Sequence, residues 1–213
     1  MKKIAVMVMF VFCLMIQIVS AAKIEQGAVV AVMDFGTHQH AVTIDINILN
    51  AGKAANEYVT NRLFESKKVD VVDRFMVEDK IAEENLNTTG HIDLDTAKRI
   101  GEILGVKYIV YGNVNDVTTS DVGTQIGVGG VNVCTVKSHL IMFVMNVETG
   151  DIIASAKGEG KSKSSYVKVK GGEILTINVG KTKVTQDSVH NAIMQASNQA
   201  VDILIQNLYG NKK

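Results

Sequence analysis

Two tripeptides, Gly160-Lys161-Ser162 and Gly180-Lys181-Thr182, carry residue types that cradle and neutralise a phosphate. A nucleotide-binding loop also needs a glycine five residues earlier, and a helix whose N-terminus completes the anion site. Ser155 and Leu175 occupy those positions, and strand-like or polar sequence follows each tripeptide. Nucleotide binding is therefore not expected. His38 and His40 put two imidazoles on one side of an extended segment, but a metal site takes three or four ligands and no third stands nearby. His91, His139 and His190 are scattered. Glu83 and Glu84 are adjacent, and adjacent residues on a helix point apart, which does not suit paired acid–base work. Cys134 has no evident base, and no G-x-S-x-G elbow occurs. The chain reads as non-enzymatic, with no catalytic residue, cofactor or metal expected.

The elements that would position any site begin after an export signal. Lys2 and Lys3 precede the apolar run Ile4–Ile16, and Val19-Ser20-Ala21-Ala22 follows. Basic, apolar and small residues in that order form a secretory signal peptide. The run is shorter than the roughly 20 apolar residues of a membrane-spanning helix. Cleavage is expected near Ala22, giving a leader at 1–22 and a single domain at 23–213. Phe12 before Cys13 argues against lipidation. Removing the leader's two lysines from 22 leaves 20 basic residues against 22 acidic ones, so no basic surplus points to nucleic acid. One cysteine, Cys134, remains and is expected to be a small buried apolar residue. Proline is absent, so no hinge between domains is marked.

Ala28 to Phe35 reads as a buried strand and Gly36 to Asn50 as a loop. Ala51 to Ser66 fits a helix with Ala51, Ala55, Tyr58, Val59 and Leu63 on one face, and Asn56, Arg62 and Glu65 away from it. Val69–Val72 is a short strand, and a helix around Val77 and Ile81 comes next. Asp93 is placed to cap a helix through Leu94, Ala97, Ile100 and Leu104, which Gly105 closes. Val106–Tyr111 is a third strand. His139–Val147 and Asp151–Ala156 make a hairpin about Glu148-Thr149-Gly150. Asp187–Tyr209 is a long amphipathic helix. Ile100, Leu104, Ile109 and Phe143 are expected in the core.

Residues 121–137 and 161–183 do not fit a compact core. Val122, Thr124, Ile126 and Val128 alternate with Gly123, Gln125 and Gly127, and Val131 and Val133 alternate with Asn132 and Cys134. Val167 and Val169 alternate with Lys168 and Lys170, and Leu175, Ile177 and Val179 with Thr176 and Asn178. Gly129-Gly130 and Gly171-Gly172 read as hairpin turns. Strands expose alternate faces, so the apolar set is a candidate for lipid contact, and Gln125, Asn132, Lys168 and Lys170 for lining a lumen.

The order of these segments resembles the CsgG-like curli-secretion channel family. Val29–Phe35, "VVAVMDF", looks like its opening strand, and Val69–Val114 is similar to its central block, with Arg74, Glu84, Gly90, Gly105 and Gly112 at the matching places. Phe143–Ser155, "FVMNVETGDIIAS", looks like its hairpin, and the C-terminal helix also matches. The resemblance covers most of residues 27–209. It implies an α/β periplasmic domain, anticodon-binding-like or TolB N-terminal-like, with two inserted β-hairpins. It further implies a homo-oligomer, an outer-membrane or periplasmic location, and a secreted or envelope protein as partner. Two functions stay open: export or docking of extended polypeptide such as curli-type fibre subunits, and a soluble periplasmic module such as a penicillin-binding-protein activator.

Overall fold

The computed structural model describes residues 24–37, 51–84, 94–126, 129–170, 176–180 and 186–210. The leader, His38 and His40, most of the loop to Asn50, Gly90, Asp93, Val128, Gly171-Gly172 and Leu175 lie outside them. The order is β1 (Ala28–Val32), β2 (Gly36–Thr37), α1 (Ala51–Ser66), β3 (Val69–Val71), α2 (Arg74–Glu83), α3 (Leu94–Leu104), β4 (Tyr108–Ile126), β5 (Gly129–Asn146), β6 (Ile152–Lys170), β7 (Thr176–Gly180) and α4 (Gln186–Tyr209). Among the described residues the strands form one α/β sheet in the order β3-β1-β4-β5-β6-β7, with β2 beside β4. β1 runs parallel to β3 and β4, and the remaining long strands are antiparallel.

Helices cover both faces of the lower sheet, so its strands are apolar on both sides. Val30, Val32, Val110, Leu140, Met142 and Val144 pack under α1 and α4. Ala31, Met33, Ile109, Met145 and Val147 pack on the other face with Ala97, Ile100 and Val77 of α3 and α2. Ile100 and Ile109 are buried as the sequence predicts, but Leu104 and Phe143 are only partly buried. Leu104 lies at the margin of the second cluster, and Phe143 lies 5.6 Å from Tyr111, ring centre to ring centre. Burial pushes the Tyr111 phenol pKa up from its ordinary value.

Local chemistry fixes the ends of the elements. Asp73 caps α2, its carboxylate accepting from the backbone N–H of Phe75 at 2.8 Å. Gly105, at φ +63°, ends α3 in the left-handed conformation that a Cβ disfavours. Asn146 accepts from the N–H groups of Glu148 and Thr149 and so shapes the turn into β6.

Asn56 departs from the sequence reading. It is buried, 2 % exposed, and its Nδ2 donates to the carbonyl of Val32 at 3.0 Å. A polar side chain is stable there because it satisfies a backbone group at the end of β1 that the sheet leaves open. The third strand also differs from the expected Val106–Tyr111. It starts at Tyr108 and continues for 19 residues.

Candidate functional site

Three long strands carry the sheet beyond its helical cover. β4 and β5 stay paired from Tyr108 opposite Asn146 to Ile126 opposite Gly129. β6 follows β5 as far as Val169 opposite Gly129, and β7 adds to β6 over Tyr166–Lys170. The two hairpin segments of the sequence are thus continuous with the core strands and lie side by side. Gly129 and Gly130 are strand residues, not the turn that the pair predicts, because pairing begins at Gly129 itself.

Helix α4 ends this cover on one face. Gly158 and Gly160 of β6 lie against the backbone of Ala196 and Ala192, and a Cβ at either glycine would overlap a carbonyl oxygen of the helix. The small residues let helix and strand approach closely. Gln199 Oε1 accepts from the N–H of Glu159 at 2.6 Å, and Gln195 Oε1 from that of Lys161 at 3.3 Å. Both bonds satisfy the outer edge of β6, which has no neighbouring strand among the described residues until Tyr166.

The register sorts the candidate residues. Val122 is opposite Val133, Thr124 opposite Val131, and Val131 opposite Val167. Val169 and Ile177 are partners, as are Val167 and Val179. Directly paired residues share a face, so these positions, with Ile126, occupy one face of the extension. Gln125, Gly130, Lys168 and Asn178 form a row on the opposite face, the one that α4 covers lower down; Asn132 and Lys170 share that face. Val122, Val131 and Val133 are 71, 55 and 37 % exposed. On the other face Asn132 lies over Gly123, its Nδ2 buried without a hydrogen-bond partner among the described residues, and Cys134 is buried.

Three features lie beyond the reach of the sequence reading. On the valine face, below Val122 and Val133, come Thr135 opposite Lys163, then Lys137 opposite Lys161. The next row sets His139 between Asp116 and Glu159, at 3.6 and 3.9 Å. Only the register of β4, β5 and β6 brings these charges together. Elsewhere, a groove of about 350 Å³ opens between α1 and the start of α2, with Glu57, Thr60, Phe64 and Arg74 in its walls. Phe64, Phe75 and Met76 are 72, 73 and 59 % exposed. Arg74 joins Asp34 at 3.6 Å to Glu78 at 2.8 Å, and Glu84 meets Arg99 of α3 at 3.5 Å. The described residues contain no group of three or more His, Cys, Asp or Glu placed to hold a metal ion. None of their helices is long and apolar enough to cross a membrane.

The sequence matches the family described as curli production assembly/transport component CsgG over residues 12–212. The chain belongs to the CsgG family. No curated protein matches it. Among solved structures it is similar to the LpoB C-terminal domain from Escherichia coli, at 20 % identity, over 66 % of this chain and 87 % of that one, with a TM-score of 0.46. It is similar to lipoprotein GNA1162 from Neisseria meningitidis at 17 % identity, over 64 % and 84 % of the two chains, with a TM-score of 0.42. It is also similar to a point variant of the PelC dodecamer from Paraburkholderia phytofirmans, at 15 % identity, over 89 % and 94 %, with a TM-score of 0.41. The assignment rests on the family match.

Proposed function

We propose that this CsgG-family chain is an exported, non-catalytic secretion or assembly component of a bacterial envelope. It works as a homo-oligomer that passes or docks extended polypeptide of the curli-subunit kind, and no bond is made or broken. The observation that carries this reading is the sorting of register positions, with the valine set on one face of the β4–β7 extension and Gln125, Asn132, Lys168 and Lys170 on the other. One face can meet lipid while the other faces water. Oligomerisation is supported by the strand edge of β4, which beyond Val114 has no second strand beside it among the described residues. Unpaired edges of this kind are templates for another copy. The location is outer-membrane-associated or periplasmic, after cleavage near Ala22 and without lipidation, and no nucleic acid is involved.

Fractionation of the native protein, with negative-stain imaging of the detergent extract, tests this. Ring-shaped particles from the outer-membrane fraction are expected. Recovery solely as a monomer in the soluble periplasm overturns the reading. That result would favour a soluble interaction module, for example an activator of a penicillin-binding protein. The exposed Phe64 in the wall of the α1–α2 groove would suit its docking.

A further inference from the structure

The extension grades from apolar to basic along one face. Val131 and Val133 of β5 and Val122 of β4 are exposed near its end. Two residues below Val133, Thr135 pairs with Lys163, and two further down Lys137 pairs with Lys161. Side chains two residues apart in a strand share a face, so valines and lysines form one surface. Lys137 and Lys161 are like charges directly across a strand pair, an arrangement that is unfavourable in isolation. Among the described residues none of the three ammonium groups makes an ion pair, whereas the next row holds Asp116 and Glu159 around His139. The three lysines thus form a cationic band between an apolar end and an acidic row.

The spacing fits a bilayer surface. Each two-residue step is about 7 Å, so the lysine rows stand about 7 and 13 Å from the Val122–Val133 row. A bilayer's headgroup region is about 5–8 Å thick on each side of a hydrocarbon core of about 30 Å. Valines in the acyl region therefore bring the lysines to the phosphate layer, where their stems lie along apolar surface and their charges meet anions. We propose that Lys137, Lys161 and Lys163 bind the phosphate groups of anionic phospholipids and so set the depth of the extension in the membrane. This rests on the reading that the valine face meets lipid, and it adds the class of lipid that the face selects.

Co-sedimentation of the processed chain, purified from cell envelopes, tests it with two kinds of vesicle. One is phosphatidylcholine, and the other is phosphatidylcholine mixed with phosphatidylglycerol. Each lysine near an anionic surface strengthens binding by about fivefold, so three give a preference for the anionic vesicles on the order of a hundredfold. The triple variant Lys137→Gln, Lys161→Gln, Lys163→Gln should lose that preference, keep its binding to phosphatidylcholine and retain the parent circular dichroism, since all three side chains are exposed. Equal binding of the parent to both vesicles, or an undiminished preference in the variant, overturns the lysine assignment and leaves the valine face in lipid. Failure of the parent to bind either vesicle overturns both. Inorganic phosphate at matched ionic strength should not release the bound chain. Release would make the band a site for free phosphate and overturn the lipid assignment.

Discussion

Replacing Gly160 with alanine tests the packing that aims the extension. A Cβ at Gly160 would overlap the carbonyl oxygen of Ala192 and stand 2.7 Å from the backbone nitrogen of Ala196. Ordinary contacts of carbon are about 3.5–4.0 Å, so α4 must retreat by about 1 Å or more. The obstacle is helix backbone, which cannot rotate aside as a side chain would. Retreat would loosen Ala192, Ile193, Ala196 and Ala200, all fully buried, and would stretch the Gln195 and Gln199 bonds to the edge of β6. Overpacking of this kind costs about 1–3 kcal/mol, and the upper part of that range applies to a rigid obstacle. Restricting the unfolded chain returns about 0.4–1 kcal/mol. A net loss of about 2 kcal/mol should lower Tm by about 4–8 °C for a domain of this size. Thermal and urea unfolding of Gly160→Ala beside the parent measure it. Stability within about 0.5 kcal/mol of the parent would show that α4 does not pack on β6 at this distance.

Other changes read separate parts of the structure. Asn56→Ala should destabilise by about 1–3 kcal/mol in urea unfolding, because it leaves the buried Val32 carbonyl without its donor. Ile100→Ala should cost about 2–5 kcal/mol, and Leu104→Ala clearly less, because only Ile100 is fully enclosed. Asp73→Ala should cost about 1 kcal/mol by removing the cap of α2. Gln195→Ala with Gln199→Ala should speed hydrogen exchange at the Glu159 and Lys161 amides, which then lose their acceptors at the strand edge.

How far the fold can be read from the sequence follows from what each signal depends on. Helix α1 has the bounds Ala51–Ser66 that its pattern gives, and α4 begins one residue before the expected Asp187. Both are long periodic segments, and their signals are local. Asn56 escapes the helical pattern because its partner lies 24 residues away, in β1. A bulge hides the upper half of β4. The register shifts between Val114 and Asp116, so Val110 and Val114 keep one parity while Val117, on the same buried side, has the other. A bulge breaks the period of two on which strand recognition depends. Gly158 and Gly160 weaken the apolar signal of β6, and their reason is the close approach of α4. The valine and polar sets are legible as alternation within each segment. Their alignment across four strands, and the lysine band below, depend on register, which alternation alone does not specify.

Membrane extraction of a double variant asks whether the valine face lies in lipid. Val122→Lys with Val131→Lys changes two exposed positions on one face, so the domain should melt as the parent does. Each lysine on a lipid face costs about 2–4 kcal/mol at the midplane and about 0–1 kcal/mol near the interface. The parent should sediment with outer membranes and resist carbonate washing, and the folded double variant should be released. A double variant that sediments and resists carbonate as fully as the parent would show that the valine face is not in lipid.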